Sequence, residues 1–339
     1  MTPARLREIT ARYAQLRIAV IGDFCLDRYL EIDPARAEIS IETGLPVYNV
    51  VKVRAQPGAA GTILNNLVAL GVGEIVPVGF CGEDGEGYEL LRALRSLPGV
   101  NTEHFLQTPE RRTFTYCKPL IMTPGEPPRE LNRLDSKNWT PTPPEVSARI
   151  VQSLEALRSR VDGIILMDQV DVADTGVVTG AVLSFLGEME KRSTSRGPVV
   201  ADSRRGLKGY PPCIFKMNAA ELASLTSRPA DSPVVDIQCI AAELAAKNDR
   251  TVFVTMAERG LVGATSSGET EHVSSLPLRG AIDVVGAGDS VTANLTAALA
   301  AGATLRESLE LAALASSIVI HQLGTSGAAS PEQMVGLLG

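Results

Sequence analysis

The residues best suited to chemistry sit together in Asp283-Val-Val-Gly-Ala-Gly-Asp289, a turn of small residues closed by a carboxylate. The next stretch, Ser290-Val-Thr-Ala-Asn-Leu-Thr-Ala-Ala-Leu-Ala-Ala-Gly302, is rich in Ala and Leu and ends in glycine, which predicts a helix. Gly286, Ala287 and Gly288 then lie at a helix N-terminus, where unpaired backbone N–H groups and aligned peptide dipoles favour an anion. A phosphoryl group in transfer suits such a cradle, because its spread charge is stabilised mainly by positioned donors and a metal ion. Asp289 is placed to orient a hydroxyl and take its proton, and the helix N-terminus is expected to keep it ionised near neutral pH. The alternative is that Asp289 only caps the helix. The sequence has no G-x-x-x-x-G-K-[ST] and no G-x-G-x-x-G after its first strand, so a P-loop and a dinucleotide fingerprint are excluded.

Two further candidates lie just after apolar runs. Asp168 ends Ile164-Ile-Leu-Met-Asp168, at the carboxyl end of a strand where the sites of open α/β sheets gather; it could equally cap the next segment. Arg204, in Ala201-Asp-Ser-Arg-Arg205, is a candidate phosphate contact or an ordinary exposed arginine.

The elements that must position these groups are legible as alternation. Arg17-Ile-Ala-Val-Ile-Gly22 is a compact apolar run ending in glycine, and the pattern recurs at 75–79, 163–167, 198–201, 214–217 and 252–255. Between these runs, 60–70, 86–97, 145–159, 174–191 and 235–247 carry helical periodicity, after a short leading helix over 3–16. Strand and helix in alternation mean βαβ units and a mostly parallel sheet covered on both faces, hence an α/β fold. Residues 28–56 and 104–134 break the rhythm with β-type alternation, as in Pro46-Val-Tyr-Asn-Val-Val-Lys-Val53, and are expected to form one small antiparallel subdomain. The Pro-rich segment 124–144 reads as a loop within one domain spanning 1–339.

Composition narrows the function classes. With 339 residues, 45% of them hydrophobic, the chain can bury a large core. A net charge of -7 and 4% aromatics argue against nucleic-acid binding, which needs a basic face or stacking platforms. The five cysteines and three histidines are scattered without zinc spacing, as expected of ordinary thiols in a reducing cytoplasm. The apolar run before Asp23 is too short for a signal peptide, and no stretch is long enough to span a bilayer, so a cytoplasmic location is expected.

Several segments together resemble the ribokinase-like (PfkB) carbohydrate kinases, above all the kinase domain of the bifunctional heptose-phosphate kinase/ADP-heptose synthases. Gly22-Asp-Phe-Cys-Leu-Asp-Arg-Tyr29 is similar to that family's opening strand and turn, and Pro57-Gly-Ala-Ala-Gly-Thr62, running into Asn66-Leu-Val-Ala-Leu-Gly71, to its sugar loop. Leu131-Asn-Arg-Leu-Asp135 resembles the lid return, Met217-Asn-Ala-Ala-Glu221 the Asn-x-x-Glu element, and Thr255-Met-Ala-Glu-Arg-Gly260 with Asp283–Asp289 the nucleotide side. Leu323-Gly-Thr-Ser326 resembles the closing loop, so the likeness runs collinearly along almost the whole chain.

The resemblance implies a three-layer α/β/α fold with a small β lid, phosphorylating a sugar or sugar phosphate such as a heptose 7-phosphate with ATP. It makes Asp289 the base and Gly286, Ala287 and Gly288 the anion hole. Asp27, Gly58, Ala59 and Thr62 would hold the sugar, and Asp168, from its place at a strand's carboxyl end, is a further candidate for it. Asn218 and Glu221 would organise Mg²⁺ beside the nucleotide; local rules also fit a helix cap and a first-turn acid. Thr255, Glu258 and Gly260 would flank the nucleotide, with Arg204 on a phosphate, and the stretch around Asp283 implies K⁺ dependence. A homodimer through the lid is implied too. With the chain ending at Gly339, no nucleotidyl transfer is expected. The sequence departs from the family pattern where Ala59 and Thr62 replace a glycine and an asparagine, where Val285 replaces a threonine, and around Ser203 and Arg204. These departures leave a sugar- or nucleotide-binding regulatory module and a nucleoside kinase as alternatives.

Overall fold

Helix α1 (Pro3–Thr10) opens with Thr2 as N-cap, its hydroxyl accepting the Arg5 N–H, and with proline in the first turn. Then come β1 (Arg17–Gly22), β2 (Phe24–Ile32), β3 (Glu38–Ile39), β4 (Pro46–Val47) and β5 (Val50–Ala59). They are followed by α2 (Ala60–Ala69), β6 (Glu74–Gly82), α3 (Gly85–Arg95), β7 (Phe105–Thr108), β8 (Phe114–Ile121), β9 (Arg129–Glu130) and β10 (Leu134–Ser136). The middle of the chain gives α4 (Pro144–Leu157), β11 (Gly163–Asp168), α5 (Gly180–Lys191), β12 (Val199–Ser203), β13 (Ile214–Asn218), α6 (Ala219–Thr226) and α7 (Val234–Asn248). Last are β14 (Val252–Thr255), β15 (Leu261–Ala264), β16 (Thr270–Val273), α8 (Ala287–Ala300), α9 (Leu305–Val319) and α10 (Pro331–Gly336). This computed structural model describes residues 1–192, 197–229, 231–324 and 326–338.

Nine strands form the large sheet in the order β16-β15-β14-β13-β12-β11-β1-β6-β7. From β14 to β7 all neighbours are parallel; β15 and β16 extend one edge as an antiparallel hairpin. Alternation along β1 explains the layers. Ala19 and Ile21 pack into one core with α4, α5 and α7, whereas Ile18 and Val20 join the other with α1, α2, α8 and α9. The α/β architecture read from the sequence is present, and no helix among the described residues is long and apolar enough to cross a membrane.

The second sheet, ordered β10-β8-β2-β5 with β9 on β8, is the lid. It departs from the expected antiparallel unit, because β2 and β8 run parallel over Cys25–Ile32 and Phe114–Ile121. The lid also reaches further towards the chain start, from Phe24 to Ala59, while β7, expected in the lid, extends the large sheet beside β6. The Pro-rich segment is not all loop, since β9 and β10 pair with β8. Helix α5 starts at Gly180 rather than at 174; Asp174 has φ 60° and its carboxylate accepts the Gly180 N–H, which is turn geometry.

Two sets of hydrogen bonds anchor the lid. Arg112 and Asn138 exchange backbone and amide hydrogen bonds at 3.0 and 2.9 Å, joining the segments that enter and leave it. Beside them the buried Arg111 guanidinium donates to the carbonyls of Thr140, Pro141 and Thr175. The lid and the wall beneath it are thereby tied to one point.

Candidate active site

The helix expected after the small-residue turn is α8, and its N-cap is Gly286 at φ 81°. That left-handed conformation is where glycine is favoured. A Cβ on Gly286 would lie 3.5 Å from Thr62 Cγ2 and 3.6 Å from Ser326 Cα, so the turn is seated between the start of α2 and the closing loop. Thr325 of that loop lies outside the described residues. Ala287 and Gly288 open the helix, and Asp289 occupies its third position.

Asp289 does not cap α8: no side chain caps this helix, and among the described residues nothing donates to its carboxylate. It is half-buried. Burial and then the charge of Asp202 lift its pKa to about 7, with Lys216 pulling it down and Asp27 pushing it up. The expectation that the helix N-terminus keeps it ionised is therefore corrected. Desolvation outweighs the dipole, and Asp289 titrates at neutrality. A carboxyl group with such a pKa can exchange a proton near neutral pH.

On the lid side, Asp27 of β2 is 6% exposed and pairs with Lys118 of β8 at 3.3 Å. Burial raises the Asp27 pKa against the opposing Lys118 charge. Gly58 lies opposite Cys25 on the paired strand, and a Cβ there would come within 2.6 Å of Asp27 Oδ2 and 2.7 Å of Cys25 Sγ. Gly58 is needed for close approach. Thr62, in the first turn of α2, is buried beside Gly286, which brings the proposed sugar loop against the anion turn.

Ala59 carries φ 54° and ψ -117°, a conformation that belongs to glycine. Ala59→Gly is expected to relieve that strain and stabilise the fold by ~1 kcal/mol, read as a higher denaturant midpoint at unchanged slope. A lower midpoint would show that the alanine methyl is worth more than the strain.

Beneath the lid lies a narrow cleft lined by Asp23, Cys25, Ala59, Tyr116, Lys137 and Asp171, among others. Asp23 is buried and accepts the Gln169 and Val177 N–H groups at 2.8 and 2.7 Å, which fixes the 169–177 wall. Burial and the Asp168 charge raise its pKa to about 7. At the rim, Lys137 Nζ is 2.8 Å from Asp171, Arg204 is 3.2 Å from the same carboxylate, and the Arg133 guanidinium lies over Tyr116. Asp23, Tyr116, Lys137 and Asp171 were missed from the sequence. The one available signal was that Asp23 follows the first glycine-ended strand.

Two predicted residues have protein partners. Asp168 is fully buried; its Oδ2 accepts from Arg205, Ser203 and Tyr210 at 2.6, 3.0 and 2.9 Å and so holds the 203–210 loop, while Oδ1 has no partner among the described residues. Arg204 is paired with Asp171, which lines the lid-side cleft. Its neighbour on the chain carries the ion pair that a single sequence could not assign.

At the ends of β13 and β14, Asn218 and Thr255 are register partners. Asn218 and Glu221 form a reciprocal capping box: the amide oxygen accepts the Glu221 N–H at 2.9 Å and the carboxylate accepts the Asn218 N–H at 2.7 Å. The cap is real, and it leaves one carboxylate oxygen of Glu221 unused by it. Burial raises the Glu221 pKa, with Asp202 adding to the rise. Among the described residues no group of three His, Cys, Asp or Glu could hold a metal ion. The Asn218 amide and Glu221 carboxylate are oxygen donors of the kind that fit Mg²⁺ held partly through water. The Glu258 carbonyl accepts from Ser275. Gly260, at φ 89°, lets the β14–β15 turn pass the Val273 carbonyl, where any Cβ would clash. Asp283 accepts the Val285 and Gly324 N–H groups at 3.0 and 3.3 Å, tying the turn to the closing loop.

Three comparisons bear on this arrangement. The family described as "pfkB family carbohydrate kinase" matches residues 16–333. The chain is 31% identical over 335 residues to "Bifunctional protein HldE" of Rhodospirillum rubrum, covering 98% of this chain and 64% of that protein. It is 30% identical over 312 residues to the protein of the same name from Azorhizobium caulinodans, covering 91% and 62%. It thus spans less than two thirds of these relatives' length. Among solved structures, ribokinase of Arabidopsis thaliana with ribose and ATP superposes with a TM-score of 0.66 at 19% identity, over 95% of this chain and 98% of that one. Phosphofructokinase-2 of Escherichia coli with fructose-6-phosphate gives 0.69 at 17%, over the same shares. At such identity the likeness carries the fold.

Proposed function

Because this chain belongs to the pfkB family of carbohydrate kinases and is a sugar kinase, we propose that it transfers the γ-phosphoryl group of Mg·ATP to a hydroxyl of a sugar phosphate. The observation that carries this reading is the seating of the Gly286 turn against Thr62, with Lys216 against Gly288 and with Asp289 near enough to Asp202, Lys216 and Asp27 to respond to their charges. The acceptor hydroxyl lies at Asp289, which takes its proton late, as the new O–P bond forms and the bond to ADP breaks. The N–H groups of the 286–288 turn receive the migrating group's charge. Asp27, Gly58 and Thr62 orient the sugar. Asn218, Glu221 and Thr255 face the nucleotide, with Mg²⁺ neutralising its phosphates. The lid excludes water, which would otherwise attack ATP.

A phosphorylated sugar is favoured over a free one by the rim, where Lys137, Arg133 and Arg204 surround Tyr116 and Asp171. A substrate phosphate there would exchange Asp171 for a better anion. The test is coupled ADP release over sugars and sugar phosphates, heptose 7-phosphate included, with and without K⁺. Turnover confined to sugar phosphates is expected, and Lys137→Met should raise KM about tenfold for the phosphate ester with kcat little changed. Tight ligand binding without ADP release would point instead to a binding module.

Ile39, Ile41 and Tyr48 of the β3–β4 hairpin region and Val51 and Val53 of β5 are exposed. Such a patch on a thin sheet is a pairing surface, and a homodimer through the lid is its expected occupant. Sedimentation equilibrium at micromolar chain should report two copies; a monomer at that concentration removes the dimer.

A further inference from the structure

Lys216 is a lysine between the apolar Phe215 and Met217 at the centre of β13, and it is 6% exposed. Its neighbours Phe215 and Met217 join the core on the α4–α7 face, so Lys216 points to the other face, beneath the first turn of α8. Its Nζ donates to Asp202 Oδ2 at 2.7 Å, and the Thr292 hydroxyl of α8 donates to the same oxygen at 2.9 Å. An ammonium has three donors, and among the described residues this one bond is formed. An ideal Cβ on Gly288 would stand 3.1 Å from Nζ, so the ammonium abuts the anion turn directly, with only a glycine between.

We propose, resting on the kinase reading above, that Lys216 is a third component of the anion hole: its unused N–H donors meet the charge of the migrating phosphoryl group, and Asp202 with Thr292 holds it in place. A buried ion pair is weak evidence for stability, since packed apolar residues often replace one without loss. Its position under a phosphate cradle gives it a different use. The charges around Asp289 agree with this. Asp202 of β12 and Asp27 of β2 both oppose its ionisation, and Lys216 of β13 supports it. Lys118 of β8 is spent on Asp27, and Glu221 of α6 faces Lys216 and Asp202. Lys216 thus serves the phosphoryl group and keeps the base ionisable.

Lys216→Met and Lys216→Arg are compared with the wild-type chain by kinetics and by ¹³C NMR titration of the Asp289 carboxyl. Lys216→Met is expected to lower kcat by ~10²-fold with ATP KM changed far less, because the contact forms in transfer. The Asp289 titration and the acid limb of kcat/KM should move to higher pH, and Lys216→Arg should restore most of both. Folded Lys216→Met protein with kcat within twofold of wild type, or with an unmoved Asp289 titration, overturns the proposal. Should Lys216→Met not fold, Lys216→Gln is read instead: kcat must fall on the same scale, and a kcat within twofold of wild type is equally fatal. If the wild type phosphorylates no sugar, the kinase reading fails and the anion-hole role falls with it, whereas an active wild type beside a fully active Lys216→Met overturns the anion-hole role alone.

Discussion

Asp289→Asn lowers kcat by ~10³-fold while ATP binding is retained, since a general base contributes on that scale and the amide preserves shape. The same substitution stabilises the protein, and the sign comes from its pKa. The folded value of about 7 lies above the ordinary aspartate range. Stability from this group is therefore complete below ~4, its unfolded value, and is lost as pH rises through about 7. Asparagine removes that loss, so the gain in Tm is larger at pH 8 than at pH 5. Wild-type kcat/KM should fall below about pH 7 as the base protonates. A catalytic carboxylate predicts activity down and stability up; a structural one predicts both down, which scanning calorimetry beside steady-state kinetics separates.

Gly286→Ala has the second largest expected effect. The Cβ itself has room, with its nearest neighbours at 3.5 to 3.7 Å. The cost is in the backbone, because φ 81° is foreign to alanine and is worth roughly 1–2 kcal/mol. The turn must relax, and relaxation re-aims the N–H groups of the cradle. A fall in kcat of ~10²-fold is expected, comparable to losing one oxyanion donor, with sugar KM nearly unchanged. Wild-type kcat in a folded Gly286→Ala variant would mean that those N–H groups do not receive the phosphoryl group.

How far the sequence was readable depended on whether the governing interaction was local. The parallel strands were legible because burial on both faces leaves a continuous apolar run, as in Ile18–Ile21. The turn before α8 was legible because helix composition and glycine placement are local. The parallel pairing of β2 with β8 was not, since residues some ninety positions apart meet without a turn to announce them. β7 looked like lid for the same reason. Asp168 and Arg204 were assigned to substrate and nucleotide from strand position, but their partners, Arg205, Tyr210 and Asp171, are chosen by the folded loop. Lys216 was absorbed into an apolar run, although a lysine at its centre was itself the signal.

Asp289 was singled out because of where its helix begins, and the expectation that the helix N-terminus keeps it ionised left out its burial. A helix dipole is worth a fraction of a kcal/mol to a few, whereas burial beside Asp202 is a larger opposing effect. Charge balance at the site is a property of β12, β13 and the lid together, and no one of these segments contains it.

If the start of α8 receives the migrating phosphoryl group while Asp289 faces the acceptor, a transition-state complex will show both at once. The direct measurement is a crystal structure with ADP, Mg²⁺, aluminium fluoride and the sugar phosphate found by ADP release. The fluoride is expected against the backbone N–H groups of the 286–288 turn, and the acceptor hydroxyl at ~2.6–3.2 Å from the Asp289 carboxylate. A phosphoryl mimic bound away from that turn, or an acceptor hydroxyl facing any other residue, would contradict these assignments.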